Sequence, residues 1–267
     1  MFMVVICRYG EIFLKGQNRG SFERTLAATI KKRMRVYGVV GEVRLCRNRI
    51  LIETDDSCDF LQAVFGVISY SPARAVPFTE DLGLIITEGK NMLSSSTFDT
   101  FKVHAKHLTP LGVTSLHINQ QVGAAVVEQF GARVDLEEPS VVLGIEIIDS
   151  TAYIYTSTCA GPGGLPVGVS GTMRVLDGPF ARLAALLMMK RGCIVSNGDD
   201  FIEVFGNSHH SEPDTAVVSC SLDAVPLNID VSTLYPLVGM TTEEAREKLN
   251  HYETVYRTIQ SGKRNHL

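Results

Sequence analysis

The first 75 residues alternate short β-rich runs with two helical patterns, and this order restricts the fold more than any other feature of the sequence. Residues 4–8 predict a strand, and residues 22–37 place apolar side chains at helical spacing between Lys and Arg residues. A hairpin over 42–53 follows. A second helix and a strand, over 59–65 and 68–77, complete the segment. This β-α-β-β-α-β order is typical of a ferredoxin-like unit.

A second α/β segment extends to a break in every regular pattern at residues 161–166, which read GPGGLP. We expect a helix over 81–93, a strand over 100–105, a helix with Ser115 as its N-cap, and a hairpin over 141–157.

The last hundred residues predict a third α/β layer. A short strand ends near Val175, an apolar helix covers 180–191, and a buried strand covers 216–222. A terminal helix opens at Thr241, where Glu244 completes a capping box.

These patterns predict a mixed α/β protein of three domains. We place an N-terminal ferredoxin-like domain at 1–75, a second α/β domain at 76–166 and a reduced Rossmann-like α/β domain at 167–267. A length of 267 residues agrees with two or three domains.

Charge is distributed unevenly along the chain. The formal charge is −4 with a pI near 6.0, but residues 1–76 hold 12 Lys and Arg against 7 Asp and Glu. Residues 77–166 hold 4 against 10, and residues 167–267 hold 9 against 12. A basic front segment is a hint of a polyanionic partner, although a solvated basic surface gives the same count.

Composition excludes several other classes. No apolar run approaches the roughly 18 residues that a membrane span needs, so we expect a cytoplasmic protein with no membrane partner. The six cysteines form no Cys-x-x-Cys pair, which argues against a disulfide scaffold or a zinc ribbon. His209 and His210, with Cys193 or Cys220, lack the spacing of metal ligands. We therefore expect no metal site and buried, inert thiols at both cysteines.

Five motifs resemble those of the tRNA 4-thiouridine sulfurtransferase family, the thiamine-biosynthesis-type proteins that carry a THUMP domain. They occur in the family's order over some 190 residues: RYGEIFLKGQNR at 8–19, KVHAKH at 102–107 with Thr114 and Ser115, YIYT at 153–156, GPGGLPVG at 161–168 and LMMKRG at 187–192. The resemblance implies a ferredoxin-like domain and a THUMP domain that bind the acceptor end of tRNA, followed by an ATP-pyrophosphatase (PP-loop) domain.

The chemistry of several residues suits that implication. Basic side chains are suited to neutralising phosphates, Tyr9 to stacking on a base, and glycine N–H groups to a close approach to the sugar-phosphate chain. Ser115 is most simply a helix N-cap, and Asn119 lies one turn later, near any phosphate docked there. The candidate RNA-binding residues are Arg8, Tyr9, Lys15, Arg19, Lys102, Lys106, His107, Ser115, Asn119, Gly163 and Gly164.

The family's nucleotide motif is degenerate in this chain. Active members carry Ser-Gly-Gly-x-Asp-Ser, which aligns with the segment 176–181, and only Gly178 survives. Asp177 places a carboxylate beside the phosphates, Pro179 removes an N–H donor, and Phe180 replaces the family's acidic residue. Asp177 as N-cap with a proline in the first turn predicts a self-capped helix. No counterpart of the family's catalytic cysteine motif is found.

Three interpretations follow from the sequence. The first is a tRNA-binding protein that does not adenylate, needs no cofactor, and presents the acceptor arm to a separate sulfur-transfer enzyme. The second is an active ATP- and Mg-dependent tRNA uridine-8 sulfurtransferase. The third is an interaction subunit without RNA activity, in which the part of the apolar helix over 180–189 forms a dimer contact. All three agree with a homodimer, and none involves DNA.

Overall fold

The computed structural model describes residues 3–12, 18–108, 112–206, 215–217, 232–234, 236–237 and 239–264. The chain forms two compact units from interleaved segments. Unit 1 contains Met1–Arg8, Val40–Ser57 and Ser69–Cys159, and unit 2 contains Tyr9–Val39, Cys58–Ile68 and Ala160–Leu267.

Unit 1 is built on one mixed sheet. The strands are β1 (Met3–Arg8), β2 (Glu42–Cys46), β3 (Arg49–Glu53), β4 (Ser69–Pro77), β5 (Thr100–His107), β6 (Arg133–Val134), β7 (Val141–Ile148), β8 (Thr151–Tyr155) and β9 (Cys159–Ala160). The first eight pair in the order β2-β3-β1-β4-β8-β7-β5-β6. These pairs are antiparallel except β5 with β7 and β5 with β6, which are parallel. The short strand β9 lies outside this order and pairs with β4.

The two faces of this sheet carry different cores. Helices α2 (Gly83–Leu93) and α3 (Ser115–Phe130) share one core with alternate residues of β5, β7 and β8, including Val103 and Ile145. A smaller apolar cluster lies on the opposite face and includes Tyr155. The alternation follows from the two-residue period of a strand.

Unit 2 combines the helices of the N-terminal segment with a four-stranded parallel sheet in the order β11-β10-β12-β13. Its core contains Phe65, Leu186, Met189, Phe205 and Tyr252. The elements are α1 (Arg19–Val36), a 3₁₀ helix (Asp59–Ala63), β10 (Thr172–Val175), α4 (Ala181–Lys190), β11 (Ile194–Val195), α5 (Asp200–Phe205), β12 (Thr215–Val217), β13 (Ser232–Leu234) and α6 (Thr242–Arg264).

Most predicted elements are confirmed, as is the mixed α/β class. Both hairpins form, with Asn48 at φ 68° and Asp149 at φ 53° in their turns. The α6 capping box is present, since Glu244 N donates to Thr241 Oγ1 at 3.2 Å and Thr241 N donates to Glu244 Oε2 at 2.8 Å. The division into three domains stays a prediction.

Two of these local predictions are wrong, and a third is tested only in part. The second N-terminal helix is only the 3₁₀ helix. The N-cap of α3 is Thr114, whose side chain accepts a hydrogen bond from His117 N, and Ser115 is the first helical residue. The extended backbone of Thr114 suits a cap, because an N-cap residue is not itself helical. The strand predicted over 216–222 is described only up to Val217, and its remainder lies outside the described residues.

Candidate nucleic-acid interface

Strand β5 presents basic side chains on one face of the unit 1 sheet. Val103 and Ala105 pack into the core with α2 and α3. Lys102, His104 and Lys106 lie on the opposite face, because successive side chains of a strand alternate. We call Lys102, His104 and Lys106 the basic strand face.

A buried carboxylate lies next to the basic strand face. Glu146 on β7 pairs in register with Lys106 and is fully buried. Its Oε1 accepts a hydrogen bond from Arg8 Nε at 2.6 Å, and its Oε2 accepts one from Arg49 Nε at 2.7 Å. Arg8 ends β1 and Arg49 begins β3, so one carboxylate connects three strands. We call Arg8, Glu146 and Arg49 the buried ion triad.

Most donors of Arg8 are used inside the protein. Its Nη1 donates to Ser71 Oγ at 3.0 Å, and its guanidinium carbon lies 4.8 Å from the centroid of the Tyr155 ring. The remaining Nη2 is buried and has no hydrogen-bond partner in the part of the chain that the structure describes. Only 14% of the Arg8 side chain is exposed. Arg8 therefore contributes positive electrostatic potential to this face, but its N–H groups are not available to a ligand.

The charge of the triad follows from two opposing effects on Glu146. Burial by itself raises the pKa of this carboxyl, but the neighbouring Arg49 and Arg8 outweigh burial and hold the pKa below its usual range. Glu146 is therefore ionised at neutral pH. Two arginines against one carboxylate leave the triad with a single net positive charge beside Lys106.

The ring of Tyr155 lies over Gly144. The two residues pair between β7 and β8, and a Cβ atom at Gly144 would lie 2.2 Å from two ring atoms of Tyr155. The Tyr155 hydroxyl also donates to Glu146 Oε1 at 3.4 Å. Glycine at 144 therefore allows the ring to pack flat on the sheet, beneath Arg8.

His104 is the third residue of the basic strand face. It is not among the RNA-binding residues predicted from the sequence. Burial lowers the pKa of His104, and the positive charges of Lys106 and Lys102 lower it further. Its imidazole is therefore neutral at pH 7. The alternation Lys-x-His-x-Lys along a predicted strand was the available signal, because it places all three side chains on one face.

The structure separates the predicted strand residues. Lys106 is exposed, and Lys102 is half-buried with its Nζ donating to Leu136 O at 2.8 Å. His107 lies on the other face, where its ring packs edge-on against the ring of Phe78 with the two centroids 5.9 Å apart. The two lysines and His107 therefore do not form one surface.

Tyr9 and Arg19 belong to a second cluster, in unit 2. Tyr9 is 3% exposed, and its hydroxyl donates to Glu23 Oε1 at 2.7 Å. Arg19 Nε donates to the same oxygen at 2.7 Å. Burial and the Glu23 carboxylate raise the pKa of Tyr9. The prediction that Tyr9 offers a stacking face is wrong, because the ring is buried. Lys15 lies outside the described residues.

Asn119 connects α3 to β5. Its Oδ1 accepts a hydrogen bond from Ala105 N at 2.8 Å. Strand β6 pairs with β5 only at Thr100 and Phe101, so the side chain of Asn119 supplies an acceptor where that strand does not reach. Ser115 is half-buried at the start of the same helix.

The glycine-rich segment at 161–168 is tightly hydrogen-bonded within unit 2. Gly163 N donates to Val67 O, and Gly66 N donates to Gly163 O, both at 2.8 Å. Gly164 has φ 75°, and a Cβ atom there would lie 2.2 Å from Lys190 O. The N–H group of Gly163 is therefore already bonded and is not open to a ligand.

The segment before α4 differs from the predicted self-capped start. Asp177 is not the N-cap: helix α4 begins at Ala181, and its N-cap is Phe180, which makes no side-chain cap hydrogen bond. Ala181 N donates to Gly178 O at 3.1 Å. That turn places the helix start after Pro179, so Asp177 lies too early in the chain to cap it.

Asn197 holds the end of β10, directly before this segment. Val175 N donates to Asn197 Oδ1 at 2.9 Å, and Asn197 Nδ2 donates to Val175 O at 2.7 Å. The carboxamide thus pairs with both backbone groups of Val175, as a neighbouring strand does.

Comparison with protein families identifies the two N-terminal domains. The family model of the ThiI ferredoxin-like domain matches residues 4–71, and that of the THUMP domain matches residues 87–157. The chain carries a ThiI ferredoxin-like domain followed by a THUMP domain. The basic strand face and Glu146 lie within the THUMP domain, whereas Arg8 and Arg49 lie within the ferredoxin-like domain.

Curated relatives confirm the resemblance to the tRNA sulfurtransferase family. A probable tRNA sulfurtransferase of Methanocaldococcus jannaschii is 37% identical over 205 residues, which are 72% of this chain and 54% of the relative. One of Natranaerobius thermophilus is 30% identical and matches 98% of this chain and 64% of its own length. The chain spans about half the length of most curated relatives that it matches.

Two solved structures share the fold of the THUMP-containing chain. PH1313 from Pyrococcus horikoshii has a TM-score of 0.78 at 25% identity, with 94% of this chain and 99% of PH1313 covered. A 4-thiouridine synthetase in complex with RNA and bound ATP has a TM-score of 0.61 at 27% identity, with 98% of this chain and 60% of the synthetase covered.

The described residues include neither a membrane-spanning helix nor a metal-binding cluster. Among the described helices, none has both the length and the apolar character needed to cross a bilayer. The same residues contain no group of three or more His, Cys, Asp or Glu side chains arranged to hold a metal ion.

Proposed function

We propose that this chain binds tRNA through its THUMP domain and recognises the acceptor end with its 3′ CCA. The basic strand face is the observation that carries the proposal. Lys102, His104 and Lys106 follow one another on a single sheet face beside a triad of net positive charge. RNA affinity depends strongly on cations that face phosphates, and at pH 7 the two lysines supply them on this face.

The comparisons support RNA as the partner. The relatives are named tRNA sulfurtransferases, and one structural relative is titled as a complex with RNA. The acidic balance of residues 77–166 makes the two lysines of β5 unusual within their own domain. Cations concentrated on one face of an acidic domain favour a specific anionic partner over general solubility.

We also propose that the C-terminal region does not adenylate. The residues before α4 do not fit a phosphate-binding loop: Pro179 has no N–H group, and the N–H group of Ala181 is bonded to Gly178 O. Asp177 adds a negative charge, which repels phosphate. On this proposal the chain presents a bound acceptor arm to a separate sulfur-transfer enzyme, and we further propose that it acts as a homodimer.

Fluorescence anisotropy with whole tRNA, with and without its CCA end, tests RNA binding. We expect tight binding that weakens when CCA is removed. Replacing Lys102 and Lys106 together by Ala should reduce the slope of log K against log salt by about 1.5. Each lost phosphate contact contributes roughly 0.7–0.9 to this slope. Lys90→Ala with Lys248→Ala is the matched control, with the same charge loss elsewhere. Equal affinities of the two double variants would overturn the assignment of this face.

Thermal unfolding with Mg-ATP tests the absence of adenylation. We expect no shift of Tm at millimolar Mg-ATP, because a ligand stabilises a protein only when it binds the folded state. A clear rise in Tm that Asp177→Ala leaves unaltered would favour an active ATP-dependent uridine-8 sulfurtransferase. Absent tRNA binding together with a stable dimer in sedimentation would favour an interaction subunit.

A further inference from the structure

Helix α1 carries a row of cations on its exposed side. Arg24, Lys31 and Arg35 are exposed, and their spacing of seven and four residues places them on one face of the helix. Arg24 and Arg35 are 11 positions apart, which corresponds to about 16 Å along the helix axis at 1.5 Å per residue. We call Arg24, Lys31 and Arg35 the α1 basic stripe.

The other face of α1 is buried and includes one further cation. Leu26, Ile30 and Met34 are buried there. Arg33 is buried with them, and its Nη2 donates to Glu203 O at 2.5 Å and to Gly206 O at 2.9 Å. Arg33 is therefore a structural cation that joins α1 to the end of α5, and it is not part of the stripe.

Among the described residues, no acid balances the charge of the stripe. Glu23 is the only acidic residue of α1, and its carboxylate is bonded to Tyr9 and Arg19. Within the described part of the chain, Arg24, Lys31 and Arg35 make no ion pair. By contrast, the exposed cations of α6 occur together with acids, as in the pairs Arg246 with Glu243 and Arg257 with Glu253.

Helix stability does not explain the stripe. A cation in the last turn, such as Arg35, is favoured by the helix dipole, but Arg24 lies in the N-terminal half, where the dipole gives it no benefit. Lys31 and Arg35 are four residues apart, and like charges at this spacing repel each other. Helix stability therefore does not account for Lys31 and Arg35 on this exposed face.

We propose that the α1 basic stripe is a docking surface for the phosphate backbone of tRNA, distinct from the basic strand face. The inference rests on the proposed tRNA binding and adds a second set of contacts to it. Charge complementarity selects this occupant, because a row of cations that make no ion pair within the described structure matches a chain of phosphates. The contacts are to phosphate and carry no base specificity.

The test compares two triple variants of the full chain. In one, Arg24→Gln, Lys31→Gln and Arg35→Gln remove the stripe, and glutamine keeps helix propensity. In the control, Arg246→Gln, Lys248→Gln and Arg257→Gln remove two arginines and one lysine from exposed positions of α6. Binding of a tRNA acceptor minihelix ending in CCA is measured by fluorescence anisotropy over a salt series from about 50 to about 300 mM KCl. The salt dependence reports the number of phosphate contacts, because each contact releases counterions from the RNA.

We expect the slope of log K against log salt to be about 2 smaller in the stripe variant than in the wild-type chain. Each of the three phosphate contacts contributes roughly 0.7–0.9 to this slope. The loss should be equal for minihelices with and without CCA, because phosphate contacts do not read the bases. The control should keep the slope of the wild-type chain. A stripe variant that matches the control overturns the proposal, whereas a wild-type chain that binds no RNA overturns the proposed function itself.

A measurement on the wild-type chain removes any dependence on how the variant folds. Lysine acetylation by an acyl ester, followed by mass spectrometry, is compared with and without the minihelix. Lys31 should be protected at least several-fold and Lys248 should not. Equal acetylation of Lys31 in both samples contradicts the docking of RNA on α1.

Discussion

The Nε atom of Arg8 donates a 2.6 Å hydrogen bond to Oε1 of Glu146, a residue 138 positions further along the chain. Arg8 ends the first strand of the ferredoxin-like domain, and Glu146 lies on a central strand of the THUMP domain. These strands belong to one sheet. The ion pair therefore holds Arg8 of one domain and Glu146 of the other on the same face of that sheet.

Replacing Glu146 by Gln should strongly destabilise unit 1. Removing the charge leaves Arg8 and Arg49 nearly buried without a counterion, and breaking such a buried pair costs about 3–5 kcal/mol. Chemical denaturation followed by circular dichroism measures the change. Glu53→Gln is the control, because its pair with Arg44 is exposed and should contribute about 0–1 kcal/mol. Equal losses in both variants would contradict a special role for the buried triad.

The same carboxylate predicts an acid-dependent loss of stability. The pKa of Glu146 is lower in the folded chain than in the unfolded chain, so the unfolded state binds the proton more readily. The stabilisation is complete above the unfolded pKa of about 4.3 and is lost as the pH falls through the folded pKa. Unfolding between pH 3 and pH 7 should therefore depend less on pH in Glu146→Gln than in the wild-type chain.

His104 should make RNA binding pH-dependent. Its lowered pKa leaves it neutral at pH 7, and protonation at a pH below the usual range of histidine adds a cation to the basic strand face. We expect tRNA affinity at constant ionic strength to rise as the pH falls into that acidic range, with a salt slope steeper by up to roughly 0.7–0.9. His104→Gln should remove this rise, and His251→Gln on α6 should keep it. A rise that survives in His104→Gln assigns the titration to another group.

Two glycines of unit 1 should respond oppositely to alanine. Gly144→Ala places a methyl group against the Tyr155 ring and should cost about 1–3 kcal/mol through overpacking. Gly123 lies inside α3 with open space around its Cβ position, so Gly123→Ala should stabilise by about 0.5–1 kcal/mol. Thermal unfolding of both variants checks the signs. A neutral Gly144→Ala would mean that the Tyr155 ring moves freely.

The cap of α3 distinguishes two adjacent hydroxyls. Thr114→Ala should destabilise by about 0.5–2 kcal/mol, because the hydroxyl accepts the hydrogen bond of His117 N. Ser115→Ala should change stability by less than about 0.5 kcal/mol, because Ser115 is already inside the helix. Urea unfolding of the two single variants makes the comparison. The reverse order of losses would assign the cap to Ser115.

Local pattern was a good guide to the elements but a weaker one to the site. The hairpin around Asn48 and the capping box at Thr241 were predicted correctly, because each depends on residues only a few positions apart. The site was predicted less well: Tyr9 turned out to be buried, and His107 lies on the face opposite Lys106. The position of His107 follows from the alternation of side chains along β5 and could have been predicted. The burial of Tyr9 could not, because it depends on Glu23 and on the packing around the ring.

The sequence by itself determined the order of strands and helices, the basic charge of α1 and β5, and the resemblance to tRNA sulfurtransferases. Only the tertiary structure decided which charges remain available. Arg8 and Arg33 read as equivalent surface cations in the sequence, yet one is bonded to Glu146 and the other to the carbonyl groups at the end of α5. Burial and ion pairing depend on distance in space, and these partners lie 138 and 170 or more positions away along the chain.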